Sequence, residues 1–192
     1  MNDLPDLRAV LASTRALFGA AACSCALTSD DGSTLTFVAA DGEGADAIVG
    51  VSIPVNKGIA GWVALSGQPT AIADVVRDDR FARDVAEATS FVPTALLAVP
   101  LVDDRGEVMG VVEVLDPTGV GESALGGQRG TGAELAVLAV VASQVAVVVR
   151  LGDELAARGS LDSRLTTVAH ALAPDQVPIA TELLAVLARQ PR

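Results

Sequence analysis

Hydrophobic and polar positions along the chain alternate between helical and extended spacing. Apolar residues from Leu4 to Phe18 fall near one face, which predicts an opening helix. Two β-rich runs, 22–28 and 34–40, follow with Ser-Asp-Asp-Gly between them, the composition of a tight hairpin. The chain is therefore expected to begin as a helix followed by a two-stranded hairpin.

Shorter elements are predicted in the middle of the chain. Alternation over 51–56 indicates a third strand, and a short helix over 58–65 ends where proline follows at Pro69. A short strand over 71–73 and a polar helix over 78–88 come next. The middle of the chain is thus expected to supply two short strands and two short helices.

The second half of the chain returns to strands and then to a long helix. The runs 96–102 and 107–115 are joined by Asp-Asp-Arg-Gly, a second hairpin signal, and are predicted to be central strands. After a glycine-rich loop, the Thr-Gly-Ala-Glu capping sequence opens a helix predicted over 131–159. Its first half is apolar on nearly every face, which indicates burial on two sides.

This long helix determines the expected organisation. One side covers the sheet, and the simplest cover for the other is the same helix of a second subunit, so a homodimer through 131–159 is predicted. Residues 1–159 are expected to form one domain with flanking helices. The pattern of the tail, 160–192, predicts two short amphipathic helices. The tail is too short to fold as an independent domain.

Composition narrows the classes of function. The 192 residues are 51% hydrophobic and 19% charged, which excludes disorder driven by charge. Thirteen basic against 24 acidic residues give a net charge of −11, so nucleic acid and anionic membranes are unfavourable partners. The apolar run 135–149 is shorter than the roughly 17 to 25 residues of a spanning helix, and no secretory leader pattern is present, so a cytoplasmic protein is expected.

A set of motifs suggests a family. They are Gly-Ile-Ala-Gly-Trp-Val at 58–63, Gly-Gln-Pro at 67–69, Ile-Ala-Asp-Val at 72–75, Asp-Arg-Phe at 79–81, Ala-Val-Pro-Leu at 98–101 and Gly-Val-Val-Glu-Val-Leu at 110–115. In this order they resemble the GAF domain, an α+β sensor module of signalling proteins, over residues 4–155. The resemblance implies a central antiparallel sheet of about six strands, with the N-terminal and long C-terminal helices on one face and a pocket on the other.

The resemblance also implies ligand-binding positions. The positions that match the family's pocket are Ile59, Ala60, Asp74, Phe81, Thr89, Phe91 and Glu113. Trp62 is added to them because its flat apolar ring can form a wall of the pocket. Aromatic walls with a few polar groups are the usual composition of a small-molecule site. Glu113 alternates with Val111 and Leu115 on a predicted central strand, so its carboxylate needs an arginine, backbone amides or a ligand to offset desolvation.

Other chemistries fit the chain less well. Cyclic-nucleotide-binding members carry an Asn-Lys pair, a Phe and an Asp-Glu pair after the last strand, whereas this chain has Asp116-Pro117 and Gly130, and retains only Glu134. Bilin- and haem-binding members need a pocket cysteine or an axial ligand, and neither is evident. The cofactor is therefore unknown, and no metal site is expected because His170 is the single histidine.

The two cysteines complete the sequence-based picture. Cys23 and Cys25 lie two apart on a predicted strand, where small buried side chains are the simplest interpretation. Free methionine sulfoxide reductases of the family carry their catalytic cysteines in loops around the pocket. The favoured function is thus a non-enzymatic sensor with a small-molecule ligand and a signalling partner; the alternatives are a dimerisation scaffold whose pocket Trp62, Phe81 and Phe91 fill, and that reductase.

Overall fold

The computed structural model describes residues 5–118 and 131–171. The elements are α1 (Pro5–Phe18), β1 (Ala22–Thr28), β2 (Thr34–Gly42), α2 (Ala45–Ile48), β3 (Ser52–Pro54), α3 (Gly58–Ser66), β4 (Thr70–Ile72), a 3₁₀ turn (Val75–Arg77), α4 (Arg83–Ala88), β5 (Leu96–Val102), β6 (Val108–Leu115) and α5 (Thr131–Ala171). The chain divides into two units, 1–150 and 151–192. All six strands belong to the first unit, and the described part of the second continues α5.

The first unit is built on one six-stranded sheet. The strand order is β3-β2-β1-β6-β5-β4, and every neighbouring pair is antiparallel. The two sequence-predicted hairpins are confirmed as β1–β2 and β5–β6, and they lie side by side because β1 pairs with β6. The predicted α+β class with about six antiparallel strands is therefore confirmed.

The two faces of the sheet carry different layers. Alternate residues of β5 and β6 point to opposite faces, as the pleat of a strand requires. Leu97, Val99 and Val112 pack with α1 and α5, and this layer is called the helix-side core. Leu96 and Val111 pack instead with α3 and the segments beside it, in a layer called the cavity-side core.

Some elements differ from the sequence-based expectation. The polar helix predicted over 78–88 is shorter, because the Asp78 carboxylate accepts hydrogen bonds from the Arg80 backbone and guanidinium and holds a turn there. The sequence pattern does not predict the four-residue helix α2, since one helical turn has no periodicity to detect.

The long helix also departs from its predicted end. It continues through Gly159 to Ala171, so the break predicted at 160 is wrong for that part of the tail. A glycine inside a helix costs only about 1 kcal/mol relative to alanine and does not by itself end one. The second predicted tail helix lies outside the described residues.

Candidate functional site

The sheet face opposite α1 and α5 holds a cavity of about 110 Å³. Strands β1, β2 and β6 form its floor, and α2, α3, α4 and the segment after α4 form its roof. The apolar side chains that border it include Phe37, Ile48, Ile53, Ile59, Phe81, Val85, Phe91, Leu96 and Leu115. The volume is below the roughly 300–1,000 Å³ of common ligand pockets, so the cavity fits a molecule of only a few heavy atoms.

Small residues on neighbouring strands open this cavity. The antiparallel registers place Ala40 beside Ser24, Ser24 beside Glu113, and Glu113 beside Ala98. Side chains directly opposite one another share a face of the sheet. Glu113 is therefore the one long side chain in a row of short ones, and the space above its neighbours becomes cavity.

Two glycines let the roof approach closely. Gly58 opens α3 with φ +75°, and a Cβ there would lie 3.2 Å from the Cβ of Ala82. Gly44 precedes α2 with φ +71°, and its Cβ would lie 3.2 Å from the Cβ of Phe91. Both positions combine a left-handed backbone with tight packing, conditions that favour glycine.

Glu113 is the most perturbed polar group of the cavity. Its side chain is half-buried and borders the cavity, and its Oε2 accepts a hydrogen bond from the Ser24 hydroxyl at 3.3 Å. Burial raises the pKa of the Glu113 carboxyl to about 7, and the Ser24 hydrogen bond offsets this only in part. Within the described residues its hydrogen-bond partner is thus a hydroxyl rather than the arginine or backbone amides considered from sequence.

The cavity presents mainly hydrogen-bond acceptors from its side chains. Ser24 uses its hydroxyl proton on Glu113, and Thr89 donates its own to the carbonyl of Ala86 at 2.9 Å. Each hydroxyl keeps lone pairs for a further donor. The carboxyl-bearing residues at the cavity are Glu43 and Glu113, and no Lys, Arg or His lies among the described residues that border it.

The start of α3 is the feature that favours negative charge. Gly58, Ile59 and Ala60 border the cavity, and the first N–H groups of a helix lack intrahelical acceptors. Such a terminus stabilises an anion by about 0.3–1 kcal/mol. An unpaired ion taken from water into a protein interior costs several kcal/mol, and Glu113 and Glu43 add repulsion, so the balance is against an anionic ligand.

Six of the eight sequence-predicted site residues border the cavity, and two do not. Ile59, Ala60, Phe81, Thr89, Phe91 and Glu113 lie at its edge. Trp62 instead faces a surface groove with 36% of its area exposed, and the Arg80 guanidinium lies 4.4 Å from its ring centroid. Asp74 is exposed and forms an ion pair with Arg77 at 3.2 Å.

Sequence reasoning missed other residues at the cavity. Ser24 and Ala40 come from the first hairpin, Ile48 from the unpredicted α2, and Val85 and Ala86 from α4. The contact of Ser24 with Glu113 follows only from the pairing of β1 with β6, because the two residues are 89 positions apart in the sequence. Strand alternation predicts which face a residue occupies, but it does not predict its neighbour on the next strand.

The cysteines lie in the helix-side core, as free buried thiols. Burial raises the pKa of Cys25 to about 12 and raises that of Cys23 further, with Cys25, Glu113 and Asp41 adding to the latter shift. The thiolate is the nucleophilic form of cysteine, so both groups are protonated and unreactive at neutral pH. Cys23 borders the cavity, and the charge of Arg15 lowers its pKa by less than burial raises it.

The apolar part of α5 has a second structural reading. By length and composition alone, Gly132–Gly159 is sufficient to cross a membrane. One side of that segment packs against the rest of the domain, because Leu138, Val145 and Val149 are fully or almost fully buried in the helix-side core. The core helix of a water-soluble domain passes the same length and composition test.

Comparison with known proteins places this architecture. Residues 6–149 match the family model of the GAF domain. Sixty-six residues are 39% identical to the dual 3',5'-cyclic-AMP and -GMP phosphodiesterase 11 of Drosophila melanogaster, and 72 are 33% identical to phosphodiesterase 11A of Takifugu rubripes. These segments are 34% and 38% of this chain but only 4% and 8% of those much longer proteins.

Solved structures agree at the level of fold. The GAF domain of a phosphoenolpyruvate-protein phosphotransferase from Coxiella burnetii superposes with a TM-score of 0.65 at 18% identity, covering 81% of this chain and 87% of that one. The free methionine-R-sulfoxide reductase of Neisseria meningitidis gives a TM-score of 0.57 at 18% identity, covering 79% and 81%. At such identities the likeness shows a shared fold and nothing about ligand or activity. Because the family model covers 6–149, which includes all six strands, nearly all of α1 and the first part of α5, this chain belongs to the GAF domain family.

Proposed function

We propose that this chain is a non-catalytic sensor domain that binds a small, mostly apolar molecule in the cavity and signals through a homodimer. The observation that carries the proposal is the carboxyl group of Glu113 at the floor of a mostly apolar cavity. Such a group costs free energy to desolvate, and a ligand that hydrogen-bonds to Glu113 offsets that cost. A pocket with a few polar groups among apolar walls is the common form of a small-molecule site.

Filling the cavity tests ligand binding. Ala86 of α4 is buried and borders the cavity, whereas Ala88 of the same helix is exposed. A library of small molecules is screened by thermal shift on the parent, on Ala86→Phe and on the matched control Ala88→Phe. Compounds that raise Tm in the parent and in Ala88→Phe but not in Ala86→Phe support the proposal; hits that survive Ala86→Phe contradict it.

The homodimer is proposed to form through α5. Opposite its buried face, Ala136, Val140, Ser143 and Val147 are exposed at spacings of four, three and four residues. This is the spacing of a helix–helix seam, and Val140 is 64% exposed. Apolar side chains in such a stripe stabilise association when a second copy removes them from water.

A charge placed in the stripe tests the dimer. Val140→Glu is expected to give a monomer by light scattering, because two carboxylates would meet across a two-fold axis. The control Val102→Glu makes the same change at an exposed valine on β5. A monomeric parent, or a dimer that both variants retain, contradicts the proposed mode of association.

The setting of this sensor is also proposed. We propose a cytoplasmic protein, and the net charge of −11 supports partners that are neither nucleic acid nor an anionic membrane surface. The output is proposed to pass to a signalling protein through the end of α5 and the tail. The protonated, buried thiols support a role without thiol catalysis and disfavour the reductase alternative.

A dimerisation scaffold without ligand is the second candidate, and the small size of the cavity favours it. Phe81 and Phe91 border the space and reduce it, although Trp62, the third residue considered for filling it, points elsewhere. If this candidate is correct, no compound raises the Tm of the parent selectively and the Ala86→Phe variant is more stable than the parent. The thermal-shift comparison therefore separates the two candidates.

A further inference from the structure

We propose that the cavity selects a small organic ammonium ion whose apolar body has about four carbon atoms. The inference rests on the proposed ligand binding and specifies its chemical class. It is argued from the charges, hydrogen-bond capacity and size of the cavity.

The charge of the cavity is one-sided. Of its described lining residues, Glu43 and Glu113 carry carboxyl groups and none carries a positive charge. Glu113 lies on a central strand with neighbours Ser24 and Ala98, so no cation approaches it along the sheet. A positively charged ligand supplies the counter-charge that the described lining residues lack, whereas a carboxylate or phosphate would bring a further negative charge into the same space.

The hydrogen-bond capacity of the cavity matches an ammonium group. Such a group has three donors and no acceptor. Glu113 accepts hydrogen bonds through its carboxylate. The Ser24 hydroxyl already donates to Glu113 and the Thr89 hydroxyl to the carbonyl of Ala86, so each oxygen offers a ligand only its lone pairs. The side chains therefore offer several acceptors to a ligand that has only donors.

Size limits the apolar body. A cavity of 150 Å³ lined by apolar side chains accommodates benzene, and this cavity measures about 110 Å³. A chain of about four carbons with one nitrogen is of that order. A nucleotide or a tetrapyrrole would require the roof to move.

Binding of the ammonium ion is coupled to the release of a proton from the Glu113 carboxyl. Among the described residues, the other polar or titratable side chains that border the cavity are those of Ser24 and Cys23 on β1, Glu43 after β2 and Thr89 after α4, and of these Ser24 hydrogen-bonds to Glu113. The lining residues of α2, α3 and α4 bear no charge. With the pKa of Glu113 raised to about 7, the protonated acid plus the ammonium ion gives the ion pair and a released proton. Affinity is thus expected to rise roughly tenfold from pH 6 to pH 8.

Isoleucine methyl groups provide a local readout. The sequence has five isoleucines; Ile48, Ile53 and Ile59 border the cavity, and Ile72 lies in the cavity-side core away from it. Full-length protein with labelled isoleucine methyls is titrated with n-butylammonium chloride, 1-butanol and sodium butanoate, three probes of equal chain length. We expect n-butylammonium to shift the three cavity methyls, to leave Ile72 unmoved, and to bind at least tenfold more tightly than butanoate.

Matched variants separate the inference from the proposed function. Glu113→Gln keeps the size of the side chain and an acceptor for the Ser24 hydroxyl. It is expected to remove both the preference for n-butylammonium and the pH dependence of binding. The control Glu107→Gln removes a carboxylate from the exposed β5–β6 turn and should change neither property. If 1-butanol or butanoate shifts the cavity methyls as strongly as n-butylammonium, the ammonium inference is overturned while ligand binding stands. If no probe shifts them, both are overturned.

Discussion

The two faces of one sheet differ in how their residues are covered. On one face, in the helix-side core, the long helices α1 and α5 cover the sheet and bury Leu97, Val99 and Val112 fully. On the other face, the short helices α2, α3 and α4 cover the sheet, with Gly44 and Gly58 at the starts of α2 and α3, and leave a cavity over Ser24 and Glu113. The same strands supply both layers, because alternate residues point to opposite faces.

This contrast separates the face that is packed for stability from the face that holds the candidate site. Continuous helices pack to the density of a protein interior, and such packing leaves few voids. Short elements cover less surface each, and small residues beneath them leave room for a ligand. The face that contributes least to packing is thus the face that holds the candidate site.

A pair of adjacent leucines tests the contrast most strongly. Leu97 lies in the helix-side core and Leu96 borders the cavity, on the same strand. Leu97→Ala is expected to lower the free energy of unfolding by about 4 kcal/mol and Leu96→Ala by about 2.5 kcal/mol, because the latter removes contacts from one side only. Urea denaturation measures both, and equal losses would contradict the difference between the faces.

Glu113→Gln tests the cost of the buried carboxyl. The pKa is raised from 4.5 to about 7 on folding, so the folded protein binds the extra proton between these values and loses stability as the pH rises through them. The variant should match the parent below pH 4.5 and be more stable by about 3 kcal/mol above pH 7. Unfolding across pH 4 to 8, with Glu107→Gln as control, checks this; a constant difference would contradict it.

The cysteines test how well the helix-side core excludes solvent. Cys25→Ala is expected to lower the free energy of unfolding by about 1 kcal/mol, since one buried sulfur is lost. Cys25 and Cys23 should be alkylated in urea but not in buffer, because burial keeps both thiols protonated. Rapid alkylation of the folded protein, measured by mass spectrometry, would contradict the closed core.

The smallest effect is expected outside both layers. Arg80 lies over the exposed face of Trp62 and pairs with Asp78 at 2.7 Å. Arg80→Ala should lower the free energy of unfolding by about 1 kcal/mol or less, and should leave the affinity of any cavity ligand unchanged, since neither partner borders the cavity. A loss of ligand affinity would extend the site to the surface groove.

Much of the fold was predictable because its signals are local. The hairpins carry turn residues, and β1 and β5 have the predicted bounds, Ala22–Thr28 and Leu96–Val102. The end of α5 was not predictable from Gly159, because a glycine weakens a helix without stopping it. Propensity describes what each segment favours, and packing decides where the element ends.

The site was predictable only in part because it depends on long-range pairing. Glu113 was recognised as a carboxyl on a central strand, which its alternation with Val111 and Leu115 reveals. Its partner Ser24 depends on the β1–β6 register, which no local pattern specifies. Trp62 was placed in the cavity by composition, but its position on α3 turns it toward Arg80.

Native mass spectrometry of the freshly purified chain, compared with the denatured spectrum, tests the central claim most directly. That claim is that the cavity-side face binds a small molecule while α5 binds a second copy. The account predicts a dimer carrying extra mass in each subunit, lost in Ala86→Phe and retained in Ala88→Phe. A monomer, or extra mass that persists when the cavity is filled by Ala86→Phe, would contradict it.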